Sequence, residues 1–162
     1  EVMKYLLDTN ILIRSKNEMP MDVWPTFWVK MKEVMEAGYV FSSDKVKEEI
    51  VRGADELTSW MKRNAPKDFY LPLDGEVMGQ YANAQKWVSV SSVYSETAKL
   101  TFANVADAYL VATAAAKSMV LVTYETSDPL CKRRVKIPDV CNALGVRCCD
   151  LNTMLRDLGV SI

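Results

Sequence analysis

The sequence predicts an α/β fold built on a mostly parallel sheet. Short apolar runs near residues 3 to 7, 39 to 42, 119 to 123 and 146 to 149 alternate with longer stretches of helical spacing. Strands separated by helical crossovers pair in parallel through right-handed connections. Two of the runs stop at or just before an acid, Asp8 and Glu125. Those carboxylates fall at the carboxyl edge of the sheet, where open α/β folds place their active sites. A chain of 162 residues, 49% of them apolar, can build one full core, so a single domain over residues 1–162 is expected.

Taken in order, Lys4 to Leu7 reads as a strand that ends at Asp8, followed by the polar turn Thr9-Asn10 and further apolar residues. Trp24-Pro25 to Ala37-Gly38 reads as a helix, with Pro25 in its first turn, Trp28, Met31 and Met35 on one face and Gly38 closing it. Ser43-Asp44 caps a second helix that runs to Gly53. From Asp55 to Lys62 the stripe is Leu57, Trp60 and Met61, and from Glu76 to Val90 it is Val77, Tyr81, Ala84 and Val88. These faces read as core. Val105 to Ala116 is a helix apolar nearly all round, Met119 to Thr123 a buried strand, and a final helix follows Gly145-Val146. No internal repeat, linker or low-complexity tract interrupts the pattern.

Composition excludes several kinds of chemistry. Histidine is absent, which removes imidazole acid/base work, Ser-His-Asp and Cys-His catalysis, and the usual imidazole metal sites. Cys131, Cys141, Cys148 and Cys149 fit neither paired zinc spacing nor a spread disulfide framework, and read as reduced thiols. Neither type of Gly-rich phosphate loop is present. No apolar run reaches the roughly 18 residues of a membrane span, and the start lacks a secretory pattern, so a cytoplasmic protein without a membrane partner is expected. Met3 is the expected natural start.

Four acids stand where the chain turns inward. Asp8 ends the first strand, with helix capping as its structural alternative. If Val46 and Ile50 mark a buried face, Glu49 lies about 80° from its centre while Glu48 points nearly opposite, so Glu49 is expected to look inward and Glu48 to be solvated. Asp107 is the only charge in its apolar helix. Its structural alternative is a first-turn position behind Asn104 as N-cap. Glu125 follows the Met119–Tyr124 strand, with Asp128 in reserve. Two bare carboxylates about 4 Å apart repel by roughly 4 kcal/mol at an effective dielectric of 20. A cluster therefore calls for a counter-charge, and all-oxygen ligands point to Mg²⁺ or Mn²⁺.

In order and spacing, Asp8-Thr9-Asn10, the glutamate of Val46-Lys47-Glu48-Glu49-Ile50, Ala106-Asp107 with its apolar helix, and Thr123-Tyr124-Glu125 resemble the acidic motifs of PIN-domain ribonucleases. Asp55 to Trp60 and Lys136 to Cys141 resemble one subgroup of that family. The resemblance covers essentially the whole chain. It implies a three-layer α/β/α fold and a metal-dependent endoribonuclease, often the toxin of a toxin–antitoxin pair and commonly a homodimer. By position, Asp8, Glu49 and Asp107 match the three core metal-binding acids, and Glu125 falls where many members carry Asp. Asn10 and Thr123 match supporting polar positions, expected to orient a carboxylate or water. The implied chemistry is metal-assisted attack of water on RNA, leaving 5′-phosphate and 3′-hydroxyl ends.

Overall charge is near neutral, at −1, unlike a dedicated nucleic-acid binder. The one dense basic run, Lys132-Arg133-Arg134-Val135-Lys136, is either a contact for RNA phosphate, with Lys132, Arg133 and Arg134 as its residues, or a solvated loop. Three other readings stand beside the toxin. A haloacid-dehalogenase-type phosphatase also opens on a strand ending in Asp, but needs a second acid where this chain has Asn10. A catalytically degenerate PIN module would bind an antitoxin or ribonucleoprotein partner. A non-toxin nuclease would process RNA.

Overall fold

In the computed structural model, which describes residues 3–162, the first strand, β1 (Tyr5–Leu7), is buried on both faces. The chain turns at Asp8, whose extended backbone (φ −68°, ψ 151°) hands over to helix α1 (Thr9–Glu18). Helix α2 (Pro25–Glu36) starts on proline, which has no N–H to lose at a helix start, and buries Phe27, Trp28, Met31, Val34 and Met35. Its end is a left-handed glycine turn. Gly38 (φ +80°) donates its amide to the Met35 carbonyl, and Tyr39 donates to Val34. A residue with a Cβ is strained there.

Strand β2 (Val40–Ser43) runs directly into helix α3 (Asp44–Gly53), capped by the Ser43 hydroxyl, which accepts from the Lys45 amide. Helix α4 (Glu56–Asn64) opens with a reciprocal cap between Asp55 and Thr58 and buries Leu57, Trp60 and Met61. Strand β3 (Tyr70–Leu71) was not expected from the sequence, since its two residues are too few to show an alternation. Helices α5 (Gly75–Ser89), α6 (Glu96–Asn104) and α7 (Ala106–Lys117) precede β4 (Val120–Val122). Helix α8 (Ile137–Leu144), β5 (Cys148–Cys149) and α9 (Leu151–Asp157) complete the chain.

Asn104 is not the cap of α7. It is the last residue of α6 and donates its side-chain amide back to the Leu100 carbonyl, while extended Val105 takes the cap position without a side-chain bond. Asp107 is nevertheless in the first turn of α7.

The five strands among the described residues are all parallel, in the order β3-β2-β1-β4-β5. Right-handed crossovers then put α1 to α4 on one face and α5 to α8 on the other. Leu6, Leu7, Leu121 and Val122 in the central strands are fully buried, as a sheet covered on both faces requires. Strand order reverses between β1 and β4, because the chain leaves β1 towards β2 and later returns on the other side to form β4. The carboxyl ends of those two strands therefore border the crevice in which α/β sheets bind their ligands. Asp8 and Thr123 are the first residues beyond them.

Candidate metal centre

Asp8 and Thr123 meet at this reversal. The Asp8 amide donates to the Val122 carbonyl at 3.0 Å, so the backbone ladder carries one step past the strand. The Thr123 hydroxyl donates to Asp8 Oδ2 at 2.9 Å and accepts from the Glu125 amide at 3.1 Å. Asp8 stands in the cap position of α1, but its side chain makes no capping hydrogen bond. Burial is the main reason its pKa is pushed up to about 6, and the charge of Glu125 adds to it. The Thr123 hydroxyl and the amides of Asn10 and Thr9 pull the other way. Asn10 itself is exposed in the first turn of α1.

Asp107 enters from α7, a helix that is buried along most of its length. Its pKa is also pushed up to about 6, first by burial, then by the charge of Asp8 and, more weakly, by that of Glu49; Arg134 opposes this. Glu49 comes from α3, between the buried Val46 and Ile50, and is half-buried, whereas Glu48 is exposed. Glu49 and Asp107 line a cleft of about 310 Å³ together with Thr101, Phe102, Arg133 and Arg134.

Glu125 lies in the loop between β4 and α8. Burial and the charge of Asp107 raise its pKa, and both of its carboxylate oxygens are buried without a hydrogen-bond partner. The nearest counter-charge is Arg134, whose guanidinium stands 3.4 Å from Glu125 and 3.7 Å from Asp107. Lys132 and Arg133 are exposed and form no ion pair among the described residues. The three basic residues grouped together in the sequence are thus unequal, because Arg134 turns onto the acids.

Asp128 is exposed. Its backbone is what the structure uses, since the Asp128 amide donates to Asp139 Oδ2 at 3.0 Å while the Ser127 hydroxyl donates to Asp139 Oδ1 at 2.5 Å. Asp139, only 5% exposed in the first turn of α8, therefore anchors the loop that carries Glu125. Sequence reasoning did not single it out. The available signal was an acid one residue after the helix-starting Pro138, inside an otherwise apolar turn.

At one end of the sheet the structure thus links Asp8, Asp107 and Glu125 through their charges, and Glu49 to Asp107 alone. The donor set is all carboxylate, two of its members are held well above their ordinary pKa, and Glu125 has two buried oxygens with nothing to accept. Those features fit a hard divalent cation. Among the described residues, however, no three acidic or thiol groups stand close enough to form a finished coordination sphere. The cysteines are all free thiols and form no disulfide.

Residues 5–162 match the family described as "Domain of unknown function (DUF4411)". The chain belongs to this family. No curated protein matches the sequence. Among solved structures, this DUF4411 chain is similar to a chain of VapBC2 from Rickettsia felis bound to a DNA fragment from its promoter. The TM-score is 0.59 at 13% identity, over 91% of this chain and 98% of that one. It is also similar to a chain of FitAB bound to the IR36 DNA fragment, with a TM-score of 0.53 at 21% identity, over 90% of this chain and 94% of that one. At such identities the likeness is one of fold. The DUF4411 chain has the PIN-like α/β/α sandwich that its motifs resembled. Among the described residues, no helix is long and apolar enough to cross a membrane.

Proposed function

We propose that this DUF4411 protein is a divalent-metal-dependent endoribonuclease and the toxin of a toxin–antitoxin pair. The observation that carries the reading is the acidic group at the strand-order reversal, in which Glu125 acts on Asp8, Asp8 and Glu49 act on Asp107, and Asp107 acts on Glu125, with Asp8 and Asp107 pushed up to about 6 and the oxygens of Glu125 buried and unpartnered. Such a group costs folding energy unless a cation neutralises it. Asp8, Asp107 and Glu49 would hold Mg²⁺ or Mn²⁺, with Glu125 as the fourth acid. The ion supplies Lewis-acid charge neutralisation and activates water.

The protein's own residues supply the rest. Thr123 fixes the Asp8 carboxylate, and α7 fixes Asp107 on a rigid, buried helix. Arg133 on the cleft wall and the neighbouring exposed Lys132 would meet RNA phosphate. VapBC2 and FitAB are two-component complexes, which supports a protein antitoxin as a second partner here.

The test is cleavage of a panel of labelled RNAs by purified protein with Mg²⁺ or Mn²⁺, against EDTA and against Asp8→Asn and Asp107→Asn. Activity that requires metal and disappears in both variants supports the reading. Full metal-dependent cleavage by Asp107→Asn overturns the site assignment.

A second reading, a non-catalytic module that binds a protein or ribonucleoprotein partner, is favoured by the lack of three converging ligands among the described residues and by Arg134 on two of the acids. It expects a folded protein that binds no divalent metal.

A further inference from the structure

The loop before α8 places one cation among the acids. Arg134 reaches Glu125 at 3.4 Å and Asp107 at 3.7 Å, two carboxylates that arrive from different elements. Their side chains are only 10% and 18% exposed, whereas that of Arg134 is 52% exposed. The guanidinium therefore contacts buried charges from a half-solvated position. Both contacts are long for bidentate pairing, which is seated at about 2.7–2.9 Å. Neither oxygen of Glu125 gains a hydrogen bond from it. Arg134 thus offsets the charge of Glu125 without satisfying its oxygens.

We propose that Arg134 is a displaceable counter-ion, holding Asp107 and Glu125 in the metal-free protein and giving them up to the divalent cation. Three observations support displacement over a permanent ion pair. The guanidinium keeps much of its hydration, so leaving costs little desolvation. Glu125 keeps its full acceptor capacity for a second partner. Arg134 also lines the 310 Å³ cleft with Arg133 and Thr101, so the side chain has open space to turn into. The site as it stands is then the resting arrangement of a metal site, which accounts for the absence of three converged ligands among the described residues. The inference rests on the metal-centre reading above.

The experiment is Mn²⁺ affinity in the absence of RNA, read from the electron paramagnetic resonance signal of free Mn²⁺, for wild type, Arg134→Gln and Arg133→Gln. Arg133→Gln removes the same charge from the same cleft wall but touches no acid. Arg134→Gln should bind Mn²⁺ roughly fivefold more tightly, in keeping with loss of a competing, partly exposed ion pair. Arg133→Gln should stay within about twofold of wild type. In EDTA, Arg134→Gln should melt below wild type, and saturating Mn²⁺ should close that gap, because the lost contact exists only without metal. Should Arg134→Gln not fold, Arg134→Lys, which keeps the charge and loses the planar fork, should show a smaller tightening in the same direction.

Unchanged or weaker Mn²⁺ binding by Arg134→Gln overturns the inference. Equal tightening in both variants reduces it to a field effect and also overturns it. Wild type and Arg134→Gln that both stay folded and bind no Mn²⁺ overturn the metal-centre reading, and this inference with it.

Discussion

The hydroxyl of Thr123, the first residue after β4, donates a 2.9 Å hydrogen bond to the carboxylate of Asp8, the first residue after β1. These positions are 115 residues apart in the chain and adjacent only because the two strands pair in register, Leu7 opposite Val122. The bond locks one acid to the strand-order reversal. Through its second bond, from the Glu125 amide, it also sets where the next acid begins.

Thr123→Val removes both bonds at nearly constant volume. Metal-free stability should fall by about 1–2 kcal/mol, the cost of leaving buried partners unsatisfied, and RNA cleavage should drop with it. Thr123→Ser, which keeps the hydroxyl, should recover most of both. Urea unfolding and initial cleavage rates check this pair.

Asp8→Asn and Asp107→Asn should separate stability from activity. Each removes a buried charge repelled by its neighbours, so each should stabilise the metal-free protein by about 1–2 kcal/mol. Each should also lower metal-dependent cleavage by about 100-fold or more, as expected when a metal ligand is lost. Unfolding in EDTA beside cleavage in Mn²⁺ tests both directions in the same samples.

Metal-free stability should fall as pH rises from 4 to 6.5. Asp8 and Asp107 carry pKa values near 6 in the folded protein against an ordinary 3.8. The native state therefore holds these protons more tightly than the unfolded chain. Their stabilising contribution is complete below pH 4 and disappears as pH passes 6, at up to about 3 kcal/mol for each. Asp55 and Asp74, whose pKa values are lowered by Lys16 and Lys117, act at the acid end, where stability is lost as pH falls through their folded values. Saturating Mg²⁺ or Mn²⁺ should restore the stability missing at pH 6 and above. Thermal melts across this range, with and without metal, check the sign.

Asp139→Ala should act on the site from a distance. Loss of the buried acceptor for Ser127 and Asp128 should cost about 2 kcal/mol and release the loop carrying Glu125. Limited proteolysis should then cut between residues 124 and 136 faster than in wild type. Glu48→Gln, on the exposed side of α3, should leave cleavage unchanged, whereas Glu49→Gln should weaken it.

Much of this arrangement was legible in the sequence because periodicity and strand ends carry it. The run from Lys4 to Leu7 stopping at Asp8 marks a strand end, and the Val46–Ile50 spacing separates Glu49 from Glu48. What stayed hidden depends on three-dimensional register or on very short elements. β3 has only two residues. Asn104 looked like a cap because nothing local shows that α6 runs through it and that extended Val105 starts α7. Arg134 could not be distinguished from Lys132 and Arg133, since adjacent loop residues differ only in where the folded backbone aims them. Asp139 reads as one more helix-start acid until the loop it anchors is seen.

The most direct measurement is calorimetric titration of Mn²⁺ into metal-free protein at pH 6 and pH 7.5, for wild type, Asp8→Asn and Asp107→Asn. Wild type should bind saturably, with protons released at pH 6 as the two raised carboxyls ionise, and binding should be lost or greatly weakened in both variants. Folded wild type that takes up no Mn²⁺, or variants that bind it as wild type does, would contradict a metal centre built on these acids.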